Sequence, residues 1–112
     1  MGFVPATRAR IYLRDSAALD EQPAHALIAA AFREAGIEDV SVHHGIMGFD
    51  RASEVYAAGR FPTRSLRFPV DLPVVVEAVG SRGEIEVALP RIREALERGL
   101  ITLAEVEVYV PD

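Results

Sequence analysis

The sequence predicts a single α+β domain of the ferredoxin-like type over residues 1–112, with a four-stranded antiparallel sheet and two helices on one face. Three observations support this prediction. Apolar residues recur with the periods of strand, helix, strand, strand, helix and strand, in that order, which is the split βαβ pattern. The 112 residues suffice for one domain but not for two. Half of them are hydrophobic, so a core can form although the chain has no cysteine for disulfides.

The first half of the chain carries a local signal for each element. Residues 8–14 alternate between apolar and polar, which is typical of a strand with one buried face. A helix is predicted between Pro23, which suits a first turn, and Gly36, which suits a helix end. A second strand is predicted over 40–46. The nearly continuous apolar run 72–79 is predicted to be the central strand, which leaves a long loop between strands two and three.

The second half begins with a capping box. Ser81 and Glu84 form the S-x-x-E pattern that opens a helix, and Gly99 is predicted to end that helix. Pro90 lies within the apolar stripe of the helix, so a kink or a break is predicted there. Residues 102–110 alternate again and are predicted to form the last strand.

Two helices cover only one face of such a sheet, so the other face is open. Its mixture of charged and apolar side chains is too polar for a monomer core and too apolar for an ordinary solvated surface. Packing of this face against another copy is therefore favoured, and a solvated sheet face is the alternative. The alternation predicts that the open face carries Arg10, Tyr12, Arg14, His43, Val75, Glu77, Val79, Glu105, Glu107 and Tyr109.

Composition and charge exclude several classes of function. The formal net charge is −5, whereas general nucleic-acid binding requires a basic face. No apolar run approaches the ~20 residues of a membrane-spanning helix, and the N-terminus lacks the apolar core of a signal peptide. We therefore expect a cytoplasmic protein that neither binds nucleic acid nor inserts into a membrane. The sequence has no recognisable catalytic motif, so we expect no enzyme and assign no catalytic residue.

The segment 47–69 has no clean period and is predicted to be a long loop. It is a basic segment of an otherwise acidic chain, with a net charge of +2. Arginine presents a planar set of donors that suits phosphate and carboxylate groups, so the loop is a candidate for binding an anion or an acidic partner. A solvated loop kept soluble by its charges is the alternative. The charged residues are Asp50, Arg51, Glu54, Arg60, Arg64 and Arg67.

Six ordered motifs lie between residues 8 and 110, the part of the chain that the resemblance covers: R-I-Y-L (10–13), E-A-G-I (34–37), H-G-I-M-G-F (44–49), D-L-P-V-V-V-E (71–77), L-P-R-I-R (89–93) and G-L-I-T-L-A-E-V-E-V (99–108). Together they resemble the PII-like family known as domain of unknown function 190. The resemblance implies a homotrimer of ferredoxin-like subunits, with segment 47–69 corresponding to the T-loop of PII signalling proteins. It also implies that a small anionic ligand, with an adenine nucleotide as a candidate, binds in clefts between subunits near the loop base. A membrane transporter or channel is the implied partner of the loop.

The residue chemistry and the resemblance together select a set of ligand-binding residues near the loop base. Glycines there permit the close backbone approach that phosphate-binding loops require. Gly48-Phe49-Asp50 stands where the family typically has G-F-G, and His44 stands where it often has arginine, so a permanent charge is replaced by one that depends on pH. The predicted ligand-binding residues are His44, Gly45, Gly48, Arg51, Arg64, Arg67, Arg98 and Gly99.

Histidines leave a second function open. His43 and His44 are neighbours on a predicted strand, so they point to opposite faces and do not readily bind one metal ion within a subunit. Three copies around an axis could bring such histidines together, so a metal-binding or purely structural trimer similar to CutA is the alternative. His25 lies outside the apolar stripe of the first helix and is predicted to be on its surface.

Overall fold

The computed structural model describes residues 2–49, 55–57, 72–96 and 98–111. The four long strands form one antiparallel sheet, which confirms the predicted ferredoxin-like arrangement. In chain order the elements are β1 (Gly2–Arg14), β2 (Ala18–Leu19), β3 (Gln22–Pro23), α1 (Ala24–Glu34), β4 (Asp39–His44), β5 (Met47–Phe49), β6 (Val55–Ala57), β7 (Pro73–Gly80), α2 (Arg82–Ala95) and β8 (Leu100–Val110). The sheet order is β4-β7-β1-β8, so β7 and β1 are central and β4 and β8 are the edges.

The core lies between the two helices and one face of this sheet. Alternate residues of β1 and β7 point towards the helices, and the apolar stripes of α1 and α2 pack on them. Burying each of these larger side chains contributes about 1.5–3 kcal/mol relative to leaving it in water. The largest fully buried side chains are Ile11, Ile28, Phe32, Val74, Val76, Ile85 and Ile92.

Local signals place both helices. Pro23 precedes α1, and Gly36 follows it with φ of 97°, the left-handed region that glycine adopts readily. The predicted capping box is present at α2, where Ser81 Oγ accepts a 3.1 Å hydrogen bond from the backbone N–H of Glu84. The helix continues through Pro90, so it is not broken there, and the alternative, a kink at Pro90, stays a prediction.

The connection between β1 and α1 folds into a short hairpin that was not expected from its polar sequence. β2 and β3 pair through the two residues Asp20 and Glu21, whose φ angles are 51° and 66°. Positive φ at both central residues is the geometry of a type I′ turn, which matches the twist of paired strands. The hairpin brings the chain back to the start of α1.

β1 is longer than predicted because its first residues pair with β8 alone. The β1–β7 register ends at Thr7 opposite Gly80, whereas the β1–β8 register continues to Gly2 opposite Val110. On the side away from β8, this N-terminal part of β1 therefore pairs with no other strand of the described sheet. This arrangement tolerates Pro5, which has no backbone N–H to donate.

The predicted faces of β8 are reversed in the structure. Ala104 is opposite Arg8, and Thr102 is opposite Arg10, so the even-numbered residues of β8 lie on the open face. Val106, Val108 and Val110 therefore share that face. The residues predicted there lie on the other side of the strand: Glu105, Glu107 and Tyr109.

The centre of the open face contains an ion pair between neighbouring strands. Arg10 and Glu77 are opposite each other, and Arg10 Nε donates a 2.7 Å hydrogen bond to Glu77 Oε2. This hydrogen bond lowers the pKa of the Glu77 carboxyl, and it raises the pKa of Arg10 above its already high ordinary value. The open face is thus partly polar, as the sequence predicts.

A membrane-crossing helix is not found in the described ranges, since neither α1 nor α2 is long and apolar enough to span a bilayer.

Candidate ligand-binding site at one end of the sheet

The predicted loop base lies where three chain segments meet at one end of the sheet. Arg14, at the end of β1, is opposite Pro73, at the start of β7. His44, at the end of β4, is opposite Val74 of β7. The antiparallel order therefore places the end of β4, the start of β7 and the end of β1 next to one another at the same end of the sheet.

Asp15 connects these segments through both its backbone and its side chain. Its N–H donates a 2.8 Å hydrogen bond to the carbonyl of Leu72, just before β7. Its Oδ1 lies 2.9 Å from Nε2 of His44, at the end of β4. A third bond, 2.7 Å from the N–H of Gly45 to the carbonyl of Pro73, closes the same junction. The two sides of the loop base are therefore held together by directional bonds.

A second histidine completes this junction. The ring centroids of His25 and His44 are 5.9 Å apart, and the rings are nearly perpendicular, at 77°. His25 is half-buried, and its Nδ1 is buried without a hydrogen-bond partner in the described part of the chain. The prediction that His25 is a plain surface residue is therefore wrong. The two imidazoles and Asp15 form what we call the loop-base cluster: Asp15, His25 and His44.

Gly45 has a packing reason as well as a predicted ligand-binding role. A Cβ at this position would lie 2.8 Å from Cγ of Pro73, closer than real side chains approach. Gly48 lies in β5, where it is opposite Tyr56 of β6. The β5–β6 pair falls within the predicted loop 47–69, which therefore contains regular structure that its sequence period does not reveal.

Arg98 and Gly99 lie at the same end of the sheet but at the opposite edge. They connect α2 to β8, and a Cβ on Gly99 would lie 2.5 Å from the carbonyl oxygen of Tyr12 in β1. β4 and β8 are separated by three strand spacings of about 4.8 Å, or roughly 14 Å. His44 and Gly45 therefore lie at one edge of the sheet, and Arg98 and Gly99 lie at the other.

The predicted loop arginines Arg51, Arg64 and Arg67 lie outside the residues that the structure describes, as does Asp50. Their assignment to a ligand site stays a prediction. The two partners of His44, by contrast, are new. Asp15 and His25 are far from His44 in the chain, and no sequence signal links them to it, because only the strand register and the start of α1 bring them together.

The adjacent histidines diverge as predicted. His43 is opposite Val75 on the open face, and its Nε2 lies 2.9 Å from Oγ of Ser41. His44 is on the other face and bonds to Asp15. Within the described ranges, no group of three or more histidine, aspartate or glutamate side chains is arranged to hold a metal ion.

Two solved structures share the fold of this chain. CPII from Thiomonas intermedia K12, a nitrogen regulatory PII-like protein with bound ADP, AMP and bicarbonate, matches with a TM-score of 0.68 and 14% identity, over 95% of this chain and 90% of CPII. The GlnK–ATP complex of B. subtilis matches with a TM-score of 0.55 and 13% identity, over 91% of this chain and 82% of GlnK. At such low identity these matches establish a PII-like fold.

Sequence comparison identifies the family. A UPF0166 protein of Aquifex aeolicus is 30% identical over 99 residues, which cover 88% of this chain and 89% of that protein. The family model for domain of unknown function 190, described as "Uncharacterized ACR", matches residues 6–108. This confirms the resemblance carried by the six motifs, and the chain belongs to the family of domain of unknown function 190.

Proposed function

We propose that this protein is a PII-like regulatory protein that forms a homotrimer and binds a small anionic ligand in the clefts between subunits. An adenine nucleotide is the principal candidate for the ligand. We further propose that the protein is cytoplasmic, is not an enzyme, and signals through segment 47–69 to a partner such as a membrane transporter or channel. The observation that carries the proposal is the division of the predicted ligand-binding residues between two opposite edges of the sheet.

This division supports a site shared by two subunits. His44 and Gly45 lie at the β4 edge, and Arg98 and Gly99 lie at the β8 edge, about 14 Å away across the sheet. A ligand as small as bicarbonate or inorganic phosphate does not contact both pairs within a single chain at that separation, and a nucleotide would do so only if it lay fully extended across the end of the sheet. If the β4 edge of one copy lies next to the β8 edge of another, the two pairs line one cleft. The similar CPII structure contains ADP, AMP and bicarbonate, which supports small anions as the class of ligand.

The loop-base cluster predicts how an anion is recognised. His44 is exposed enough to meet a ligand, since 45% of its side-chain surface is accessible, but it already bonds to the Asp15 carboxylate. An anion that reaches His44 therefore competes with Asp15 and is repelled by its charge. We infer that Asp15 weakens anion binding while its backbone N–H keeps the loop base in place.

Calorimetric titration of the purified protein with ADP, AMP, ATP, bicarbonate and inorganic phosphate tests this proposal, with light scattering to give the oligomeric state. Asp15→Asn keeps the backbone bond to Leu72 and removes the charge, so it is expected to tighten nucleotide binding by up to about fivefold, the equivalent of about 1 kcal/mol for an exposed charge. His44→Gln is expected to weaken binding. His43→Gln is the matched control, because its side chain lies on the other face of β4.

Two results would contradict the proposal. A monomeric wild-type protein would remove the shared cleft. A trimer that binds none of the five compounds would remove the ligand class. No observation on the described residues favours the alternative of a metal-binding or purely structural trimer, so we propose no second function.

A further inference from the structure

The carboxylate of Asp15 determines which ring nitrogen of His44 carries a hydrogen. Oδ1 of Asp15 lies 2.9 Å from Nε2 of His44. An ionised carboxylate only accepts hydrogen bonds, so Nε2 is the donor, and the other nitrogen of the neutral ring, Nδ1, then carries a lone pair. Both side chains are reached by solvent, with 45% of His44 and 41% of Asp15 accessible. Nδ1 is therefore the ring nitrogen left for a ligand, and in the neutral ring it is an acceptor.

An anion that has no hydrogen of its own cannot form a hydrogen bond with this lone pair. The oxygens of the anion are acceptors, as Nδ1 is, and the charge of Asp15 repels them. A proton on Nδ1 changes both interactions, because it turns Nδ1 into a donor and turns the bond between Asp15 and His44 into an ion pair without net charge. The geometry of this pair therefore couples the binding of an anion to the binding of a proton.

We propose that the loop-base cluster binds an anion together with one proton, which Nδ1 of His44 takes up from solvent. This inference rests on the proposed ligand site and adds its regulation by pH. The site attracts anions when His44 is protonated and repels them when the ring is neutral. Histidine changes charge between pH 5 and 8, so the coupling acts near neutral pH. By reciprocity, a bound anion favours the protonated ring to the same degree.

The second histidine of the cluster limits the uptake to one proton. The rings of His25 and His44 lie 5.9 Å apart, and Nδ1 of His25 is buried without a hydrogen-bond partner in the described part of the chain. Two protonated rings would place two positive charges beside the single carboxylate of Asp15, which disfavours the second proton. Arg14, the basic residue before Asp15, lies by strand alternation on the open face with Arg10.

The other charged residues of the neighbouring elements face elsewhere. α1 and β7 are the described elements with the most extensive contacts to β4. In α1, Arg33 and Glu34 are eight and nine residues after His25, which is about 12 Å or more along the helix axis. In β7, the titratable residue is Glu77, which lies on the open face and bonds to Arg10. Among the described residues, Asp15 and His25 are thus the charged or titratable partners of the His44 ring.

Calorimetric titration of the full chain with ADP at pH 6, 7 and 8 tests the coupling. Two phosphate-free buffers of different ionisation enthalpy give the number of protons taken up. We expect up to one proton per site, and a Kd that rises by up to about tenfold from pH 7 to pH 8, the limit for one linked proton. His44→Gln keeps a donor for Asp15 but cannot titrate, so it is expected to take up no proton and to bind equally weakly at pH 7 and pH 8. The ionisation of the ADP phosphate, near pH 6, is common to all variants and cancels in the comparison.

Nuclear magnetic resonance measures the same coupling from the side of the proton, and it does not require the variant to bind. The chain has three histidines, so their ring signals can be assigned by substituting each in turn. ADP is expected to raise the pH at which the His44 ring titrates and to leave His43, on the other face of β4, unchanged. His43→Gln and His25→Phe, which keeps a ring beside His44, are the controls and are expected to retain the proton uptake.

The outcomes separate this inference from the proposed function. A wild-type protein that binds ADP with the same Kd at pH 7 and pH 8 and takes up no proton would overturn the coupling and leave the ligand site standing. Proton uptake that persists in His44→Gln would overturn it as well. A protein that binds neither ADP, bicarbonate nor inorganic phosphate at any of the three pH values would overturn both.

Discussion

Gly99→Ala distinguishes a glycine required by packing from one required by a ligand. The added Cβ would lie 2.5 Å from the carbonyl oxygen of Tyr12 and 2.7 Å from Cδ1 of Leu96. The leucine methyl can rotate away, but the carbonyl belongs to the backbone of β1, a central strand that is paired on both sides. The contact is relieved only if β1 and the start of β8 separate locally. We expect a loss of about 1–3 kcal/mol in the free energy of unfolding, the usual cost of overpacking.

Gly83→Ala is the matched control, with an effect of opposite sign. Gly83 lies in the first turns of α2, is exposed, and a Cβ there would meet nothing within 4 Å. Alanine favours the helix over glycine by roughly 0.5–1 kcal/mol, so this variant is expected to be more stable than the wild type.

Urea unfolding monitored by circular dichroism measures both changes. The transition midpoints should move in opposite directions while the slope with urea stays constant. All samples must have the same protomer concentration, because assembly adds to apparent stability. A Gly99→Ala variant that is as stable as the wild type would refute the packing argument. If that stable variant also lost ADP binding, the glycine would be required by the ligand.

Two further substitutions test the local structure. Ser81→Ala removes the capping bond to Glu84 and is expected to lower the free energy of unfolding by about 1 kcal/mol, measured by urea unfolding; an unchanged midpoint would contradict the role of the cap. Glu77→Gln tests the ion pair with Arg10: because the folded state lowers the pKa of Glu77, the carboxylate contributes stability above its ordinary pKa of 4.5, and this contribution is lost as the pH falls through the lower folded value. Stability measured between pH 7 and about pH 3 should therefore fall more steeply for the wild type than for Glu77→Gln, and parallel curves would contradict this.

The fold was predictable where periodicity alone determines an element. The apolar stripe of α1 and the S-x-x-E pattern at Ser81 placed both helices, and the apolar run before Gly80 placed β7. The faces of β8 were not predictable in this way. Its valines alternate with charged residues, which suggests that the valines face the core. Beyond Leu103, however, no helix of the described structure covers the strand, so the pattern there reflects another surface.

The candidate site was predictable only in part, for a related reason. His44 and Gly45 stand out in the sequence because they border a long aperiodic segment. Asp15 does not stand out, because its bond to His44 spans 29 residues and depends on the β4–β7–β1 register. His25 reaches the same cluster only because α1 starts above the end of β4. Contacts of this kind follow from topology and not from local pattern.

Packing, and not a ligand, explains two glycines of the candidate site. Gly45 and Gly99 were both selected as ligand-binding residues, yet each has a neighbour that excludes a side chain: Pro73 for the first and the Tyr12 backbone for the second. Their presence is therefore accounted for by packing and adds little support for a ligand.

The support comes from His44 and Arg98, which lie at one end of the sheet but on opposite edges. A ligand that contacts both without lying extended across the end of the sheet bridges two copies, so its binding free energy and that of assembly are linked. Nucleotide binding should consequently tighten the trimer, and dilution that dissociates the trimer should release the nucleotide.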